Sequence, residues 1–202
     1  MIKHVIIIHL HELTLKGRNR SWFEKILIKN IKVHLSKLPY STIKIIAGRI
    51  FVYKVDISQW DEYKNSLKSL IGIRNFVLTK KIELDIESMK KESLSIIKEY
   101  KNTSSFRISS RRQNKEYSHT SHEINNIIGQ HIKDNIDIEV NLSNPDINIL
   151  IEIVNEYSYI GIKKIEAFGG LPVGTGESGL SLISSGIDSP VASFNILKRG
   201  VN

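Results

Sequence analysis

The sequence contains no cysteine. Disulfides, thiolate nucleophiles, zinc fingers and iron–sulfur clusters are therefore excluded within these residues. Aromatic residues are scarce, at 7% of the chain, and long apolar runs are missing. The apolar start, Val5 to Leu10, is far shorter than the roughly 18 residues of a membrane span. It also lacks a signal-peptide cleavage pattern, so a cytoplasmic protein without a membrane partner is expected. The Asn-x-Ser/Thr triplets at Asn19, Asn102 and Asn141 are then chance matches. Acidic residues are also in deficit, with 21 Asp and Glu against 29 Lys and Arg and a net charge of +8. Such a field suits polyphosphate partners, nucleic acid before an anionic membrane. The abundance of Ile and Lys over Ala fits an AT-rich genome, which raises the Lys count by itself.

What is present is ordinary for a globular chain. Hydrophobic residues make up 41% and charged residues 25% of 202 positions, enough for one large domain or two or three smaller units. Strands are expected at His4–Leu13, Thr42–Ala47, Arg49–Val55 and Asn75–Ile82, with Gly48 joining the middle two. Helices are expected from Asn19 to about Leu38, ended by Pro39, and from Gln59 to Leu70, ended by Gly72. This β-α-β-β-α-β order is that of a split βαβ unit, a small sheet with two helices on one face. A second α/β unit follows. It comprises helices at Ile86–Tyr100 and Ser121–Asn135 and strands at Ser105–Ser110, Ile136–Asn141, Ile147–Val154 and Tyr157–Glu166.

Ala167 to Gly179, with Gly169, Gly170, Gly174, Gly176 and Pro172, reads as a linker. Leu180–Ser184 then reads as a short strand and Pro190–Lys198 as a helix, too little to bury a core. The turn between them, Ser185-Gly-Ile-Asp-Ser189, has the order strand, small-residue turn, helix. That order can cradle a phosphate on free N–H groups at a helix start. Ser189 is expected as N-cap, Pro190 at the first helical position, and Gly186 in a positive-φ or closely approached conformation. Asp188 beside a phosphate would serve to hold Mg²⁺ or orient a reacting group. A capped helix after a buried strand uses the same residues, and local features leave both readings open. The loop is not a Walker A motif. Gly174, Gly176 and Gly179 satisfy Gly-x-Gly-x-x-Gly, yet they precede a strand instead of opening a helix, which excludes a dinucleotide fingerprint.

Cations gather twice. Arg107, Arg111, Arg112 and Lys115 fall at a strand end ahead of a helix, and Lys16, Arg18 and Arg20 lie after the first strand. Each set is either a solvated loop or a phosphate contact. His9 with His11, and His119 with His122, offer too few ligands for a metal and are read as strand or cap chemistry. Trp22 and Phe23 are expected to pack the first helix on its sheet.

Ser184-Ser-Gly-Ile-Asp-Ser189-Pro-Val-Ala192, with Lys198-Arg-Gly200, resembles the PP-loop of the tRNA 4-thiouridine synthetases, or tRNA sulfurtransferases. Glu12-Leu-Thr-Leu-Lys-Gly17-Arg-Asn19-Arg20-Ser-Trp-Phe23 is similar to the N-terminal signature of that family. Arg111-Arg-Gln-Asn-Lys115, Thr120-Ser-His-Glu123 and Gly129 look like its THUMP domain, and Gly169-Gly-Leu-Pro-Val-Gly174 like the join that follows. In place of the first loop glycine stands Ser185. The resemblance implies a ferredoxin-like domain over 1–77, a THUMP RNA-binding domain over 78–167, a linker over 168–179, and the start of a PP-loop ATP pyrophosphatase domain over 180–202. It further implies ATP with Mg²⁺ at Leu182, Ile183, Ser184, Ser185, Gly186, Ile187, Asp188 and Ser189, and tRNA at both cation clusters. The implied reaction adenylates a tRNA uridine and delivers sulfur from a cysteine desulfurase or other persulfide donor. The product is 4-thiouridine, by a sulfur route shared in some members with thiamine thiazole synthesis. The catalytic cysteine and the rest of the loop domain are not in this sequence, so these residues alone are expected to bind tRNA without thiolating it. A non-catalytic THUMP protein that lends tRNA to a separate catalyst is the alternative. The oligomeric state stays open, a homodimer included.

Overall fold

The structure, a computed structural model, describes residues 3–11, 19–100 and 103–202. The elements run β1 (Lys3–Leu10), α1 (Arg20–His34), β2 (Thr42–Ile46), β3 (Arg49–Tyr53), α2 (Trp60–Lys68) and β4 (Ile73–Glu83). Then come α3 (Ile86–Glu99), β5 (Ser105–Arg112), α4 (Ser121–Asn135) and β6 (Glu139–Val140). Last are β7 (Ile147–Val154), β8 (Tyr157–Gly161), β9 (Ile165–Glu166) and α5 (Asp188–Leu197). They group into two compact units, one of Ile6–Phe76 with Lys164–Asn202, the other of Met1–Val5 with Val77–Lys163.

In the first unit the strands are ordered β2-β3-β1-β4, the ferredoxin-like arrangement that the expected β-α-β-β-α-β succession implies. β2 and β3 form an antiparallel hairpin through Ala47 and Gly48, whose φ values of 53° and 76° turn the chain within two residues. Along α1 the buried Phe23, Leu27 and Ile31 recur at four-residue spacing, and α2 buries Tyr63 and Leu67 in the same way. Trp22 departs from the expectation for this helix. It is half-exposed and meets Phe23 edge-on, because the residue next to a buried position lies off the buried stripe. The glycine-rich segment carries no helix or strand, but it is pinned. Gly72 N–H donates to the Gly169 carbonyl at 2.8 Å and Gly176 N–H to the Gly200 carbonyl at 2.7 Å.

In the second unit the order is β4-β8-β7-β5-β6. β5 pairs in parallel with both β7 and β6, whereas β8 is antiparallel to β7 and to β4. One face carries α3 and α4. Met89, Phe106, Ile124, Ile128, Ile132, Ile149 and Ile151 form the buried core between helices and sheet. The helix starts are set by side chains. Asp85 accepts from Ser88 N–H at 2.8 Å, and Thr120 with Glu123 closes a reciprocal capping box. The expected strand over 136–141 contracts to Glu139–Val140, and the one over 157–166 divides into β8 and β9.

Candidate functional site

The residues expected to form the phosphate loop stand in the first unit. Leu180–Ser184 is not a strand. Leu180, Leu182 and Ile183 are exposed, because an apolar run becomes a strand only beside a neighbour that accepts its ladder of hydrogen bonds, and none among the described residues does so. The loop is nonetheless closed on itself. Ser189 Oγ accepts from Ser184 N–H at 2.9 Å, the two hydroxyls lie 3.0 Å apart, and Gly186 N–H reaches Ser184 Oγ at 3.3 Å. This use of the Ser189 side chain corrects its expected role as N-cap. The cap position belongs to Ile187, so Pro190 sits at the third helical position instead of the first. Its missing N–H still costs nothing there, since the first-turn donors have no intrahelical acceptor. Gly186 does not have positive φ, and a Cβ there would meet only Ser184 Oγ at 3.6 Å. Asp188, the first residue of α5, is exposed and holds its carboxylate at the positive end of the helix. Ser185 and Ile187 are exposed as well, leaving the turn open to a ligand.

The arginines of the second unit's cluster divide between the two faces of β5. Alternation along β5 sends Arg107 and Arg111 to one face and Phe106, Ile108, Ser110 and Arg112 to the other, where the helices pack. Arg107 Nη1 donates to the Leu142 carbonyl at 2.7 Å, and Arg112 Nη1 to the Tyr117 carbonyl at 2.9 Å. Both guanidinium groups are thus engaged in holding loops. Arg111 and Lys115 are exposed, and they are the members of the cluster whose charge faces water. Lys16 and Arg18 lie outside the described residues. Arg20 pairs with Glu24 at 2.7 Å one helical turn on, and its guanidinium covers Gly48, where a Cβ would come within 2.8 Å of Nη2.

The histidines have local roles. His11 lies beyond the end of β1, and its Nδ1 accepts the Gly170 N–H at 3.2 Å. His119 Nδ1 meets Ser118 Oγ at 3.0 Å, and His122 Nε2 meets Asn126 at 3.2 Å. Among the described residues no three His, Asp or Glu side chains gather as a metal site would require. His4 is held below its ordinary pKa first by burial and then by the charge of Lys80, which itself pairs with Glu92 at 2.6 Å.

This geometry can be set beside known proteins. Residues 5–77 match the ThiI ferredoxin-like domain, 83–163 the THUMP domain and 174–202 the thiamine biosynthesis protein ThiI. A probable tRNA sulfurtransferase of Natranaerobius thermophilus is 36% identical over 97% of this chain and 49% of its own length. The crystal structure of PH1313 from Pyrococcus horikoshii superposes with a TM-score of 0.85 at 33% identity, over 98% of this chain and 67% of that one. The chain belongs to the tRNA sulfurtransferase family. A 4-thiouridine synthetase solved as an RNA complex with bound ATP superposes at TM-score 0.79 and 36% identity, over 98% of this chain and 50% of that one. The chain spans about half the length of the curated relatives it matches.

Both α/β units of the family were legible from the order of elements, whereas one part of the surface was not. A cleft beside α4, lined by Asn126 and Lys133, carries no cluster of charge, although His122 and Gly129 of the THUMP resemblance also line it. Its signal in the sequence is Gly129, a glycine in the middle of a helix with no turn to explain it.

Proposed function

We propose that this chain is the tRNA-holding and ATP-loop portion of a tRNA sulfurtransferase that makes 4-thiouridine. The observation that carries the reading is the succession, in one chain, of a ferredoxin-like unit, a THUMP unit and a serine-rich turn that opens a ten-residue helix. The domain limits proposed are 1–77, 78–167 and 180–202, with 168–179 between the last two.

The turn suits nucleotide phosphates. Ser184, Ser185 and Ser189 supply hydroxyl donors, the first N–H groups of α5 point out of its positive end, and all are reachable from solvent or nearly so. Ser184 and Ser189 now satisfy each other, an arrangement that phosphate oxygens would replace with equivalent hydrogen bonds. Leu182 and Ile183 would flank the nucleotide, and Asp188 would hold Mg²⁺ or orient the reacting group. ATP supplies adenylation of a uridine oxygen, which turns a poor leaving group into a good one. The sulfur arrives from a persulfide donor, and with no cysteine among these 202 residues that persulfide is carried elsewhere.

tRNA is held by charge. Arg111 and Lys115 are exposed cations of the THUMP unit, proposed to neutralise phosphates, with Lys16, Arg18 and Arg20 proposed as the second contact set. Arg107 and Arg112 support these contacts by fixing the loops around them. Filter binding of tRNA to the 202-residue chain at two salt concentrations tests the reading. Affinity that falls steeply with salt is expected, and no binding at low salt would refute it.

A further inference from the structure

Helix α5 has no buried residue, yet it is held in place. One lateral contact is Phe194, which meets Phe168 edge-on at 4.9 Å. Its backbone attachments lie at the C-terminal end. There the Lys198 carbonyl accepts the Leu171 N–H at 2.9 Å, and the Gly200 carbonyl accepts the Gly174 and Gly176 N–H groups at 2.9 and 2.7 Å. A helix leaves its last carbonyls without internal donors, and Leu171 supplies one. The same glycine-rich segment is tied on its other side to β4. Ala167 N–H donates to the Arg74 carbonyl and Gly169 N–H to the Ile73 carbonyl, both at 2.9 Å. Asn30 of α1 adds a bond to the Val173 carbonyl at 2.9 Å. The residues expected as a linker therefore form a strap, with one margin on the sheet and the other on α5.

The strap crosses between its margins at Gly169 and Gly170, both at positive φ, 67° and 79°. A Cβ at Gly170 would come within 2.5 Å of the Lys198 carbonyl oxygen, so the crossing is pressed against the end of α5. His11, the residue after β1, also stands against it. Its ring lies on Gly169, where a Cβ would be 3.4 Å from Nδ1, and Nδ1 accepts the Gly170 N–H at 3.2 Å. A backbone N–H can only donate, so this bond requires a neutral ring with its proton on Nε2.

We propose that His11 is a positioning residue for the nucleotide turn, because its bond to Gly170 locks the crossing of the strap and so fixes the angle at which α5 leaves the ferredoxin-like unit. The inference rests on the reading of Ser184–Ser189 as the ATP loop. That turn stands at the far end of a ten-residue helix, about 15 Å from the strap, so a tilt of about 15° moves it by roughly 4 Å. Such a swing exceeds the length of a hydrogen bond and separates a bound phosphate from the groups that must react with it. No buried side chain of α5 resists the tilt. Two adjacent glycines are conformationally free by themselves, and the bond from His11 is what restricts them.

The absence of cysteine makes the test direct. Lys25→Cys on α1 and Ala192→Cys on α5, both at exposed positions, take spin labels, and double electron–electron resonance reads the distance between them. With His11 in place the distribution should be single and narrow. His11→Phe keeps a ring against Gly169 and drops the acceptor. It should broaden the distribution by about 2 Å, since Ala192 lies part-way along the lever, and speed amide exchange at Gly170 about fivefold, the equivalent of one net hydrogen bond. His11→Asn offers Oδ1 in the place of Nδ1 and should restore both readouts. A distribution that stays narrow in His11→Phe overturns the proposal. Equal broadening in His11→Asn overturns it too, since the imidazole would then only fill space. Independently of any variant, nitrogen NMR should show His11 as the Nε2–H tautomer, and the Nδ1–H form would contradict the bond. Titration with ATP and Mg²⁺ addresses the parent reading separately. No binding alongside a narrow distribution would remove the ATP reading, whereas ATP bound alongside a broad distribution would remove the role of His11.

Discussion

Arg112 donates a hydrogen bond to the Tyr117 carbonyl at 2.9 Å, while Arg111, one residue earlier, is exposed on the opposite face of β5. Neighbours in sequence therefore have different duties. Arg112→Ala should cost about 1 kcal/mol, because a charged donor to a part-buried carbonyl is lost. Arg111→Ala should leave thermal stability within about 0.5 kcal/mol. Its effect should appear in tRNA binding, with weaker affinity and a log–log salt slope smaller by roughly 0.7 to 0.9. Thermal melts and filter binding at two salt concentrations separate the two. An unchanged slope for Arg111→Ala would exclude it from the interface.

Gly161 ends β8 where it faces Thr79 of β4. A Cβ there would collide with the Leu78 carbonyl oxygen, which belongs to the backbone and cannot rotate aside. Gly161→Ala should therefore destabilise the unit by about 1–3 kcal/mol through strand displacement. Gly186→Ala should leave the melting temperature unchanged, since its φ is not positive and its nearest contact is ordinary. Equal melting temperatures for the two variants would contradict this account.

The contrast between these positions shows what the sequence can and cannot reveal. Four-residue spacing of Phe23, Leu27 and Ile31 declared α1, and β-branched runs such as Ile147 to Val154 declared buried strands. Period and propensity are local properties, so those elements were readable. Leu180–Ser184 has the same local character and is no strand, because pairing is not local and no partner stands beside it among the described residues. Arg107 to Lys115 looked like one cluster because it is contiguous. Strand alternation, legible in principle, splits it across two faces, and only the structure shows that two of its guanidinium groups are spent on the carbonyls of Leu142 and Tyr117. Ser189 has the residue type of a helix cap, yet its hydroxyl turns back five residues to Ser184, a choice set by loop closure that propensity does not encode.

Acid should weaken the THUMP unit through Asp146. Hydrogen bonds from the Ser104 and Ser105 hydroxyls, and then from their N–H groups, hold its carboxyl below the ordinary value of 3.8. A group depressed on folding stabilises the fold above its unfolded pKa, and that contribution is lost as pH falls through the folded value. Glu123, held low by the backbone and side chain of Thr120, acts with the same sign. Melting temperatures of the unaltered chain and Asp146→Asn should differ most at neutral pH and converge below about pH 4. A difference that persists undiminished at low pH would show that the carboxylate charge is not what the serines stabilise.

Ile128 and Gly129 are adjacent on α4 and should answer the same substitution with opposite signs. Ile128 is buried among the core residues between helices and sheet, so Ile128→Ala removes apolar contact and leaves a cavity, at a cost of about 2–5 kcal/mol. Gly129 lies on the cleft side with open space before it. Gly129→Ala therefore adds a methyl group without a clash and restricts the unfolded chain, for a gain of about 0.5–1 kcal/mol. Denaturant titration of both variants measures the pair, with the midpoint lowered in the first and raised in the second. A lowered midpoint for Gly129→Ala would mean that the glycine serves the fold after all, despite the open space before it.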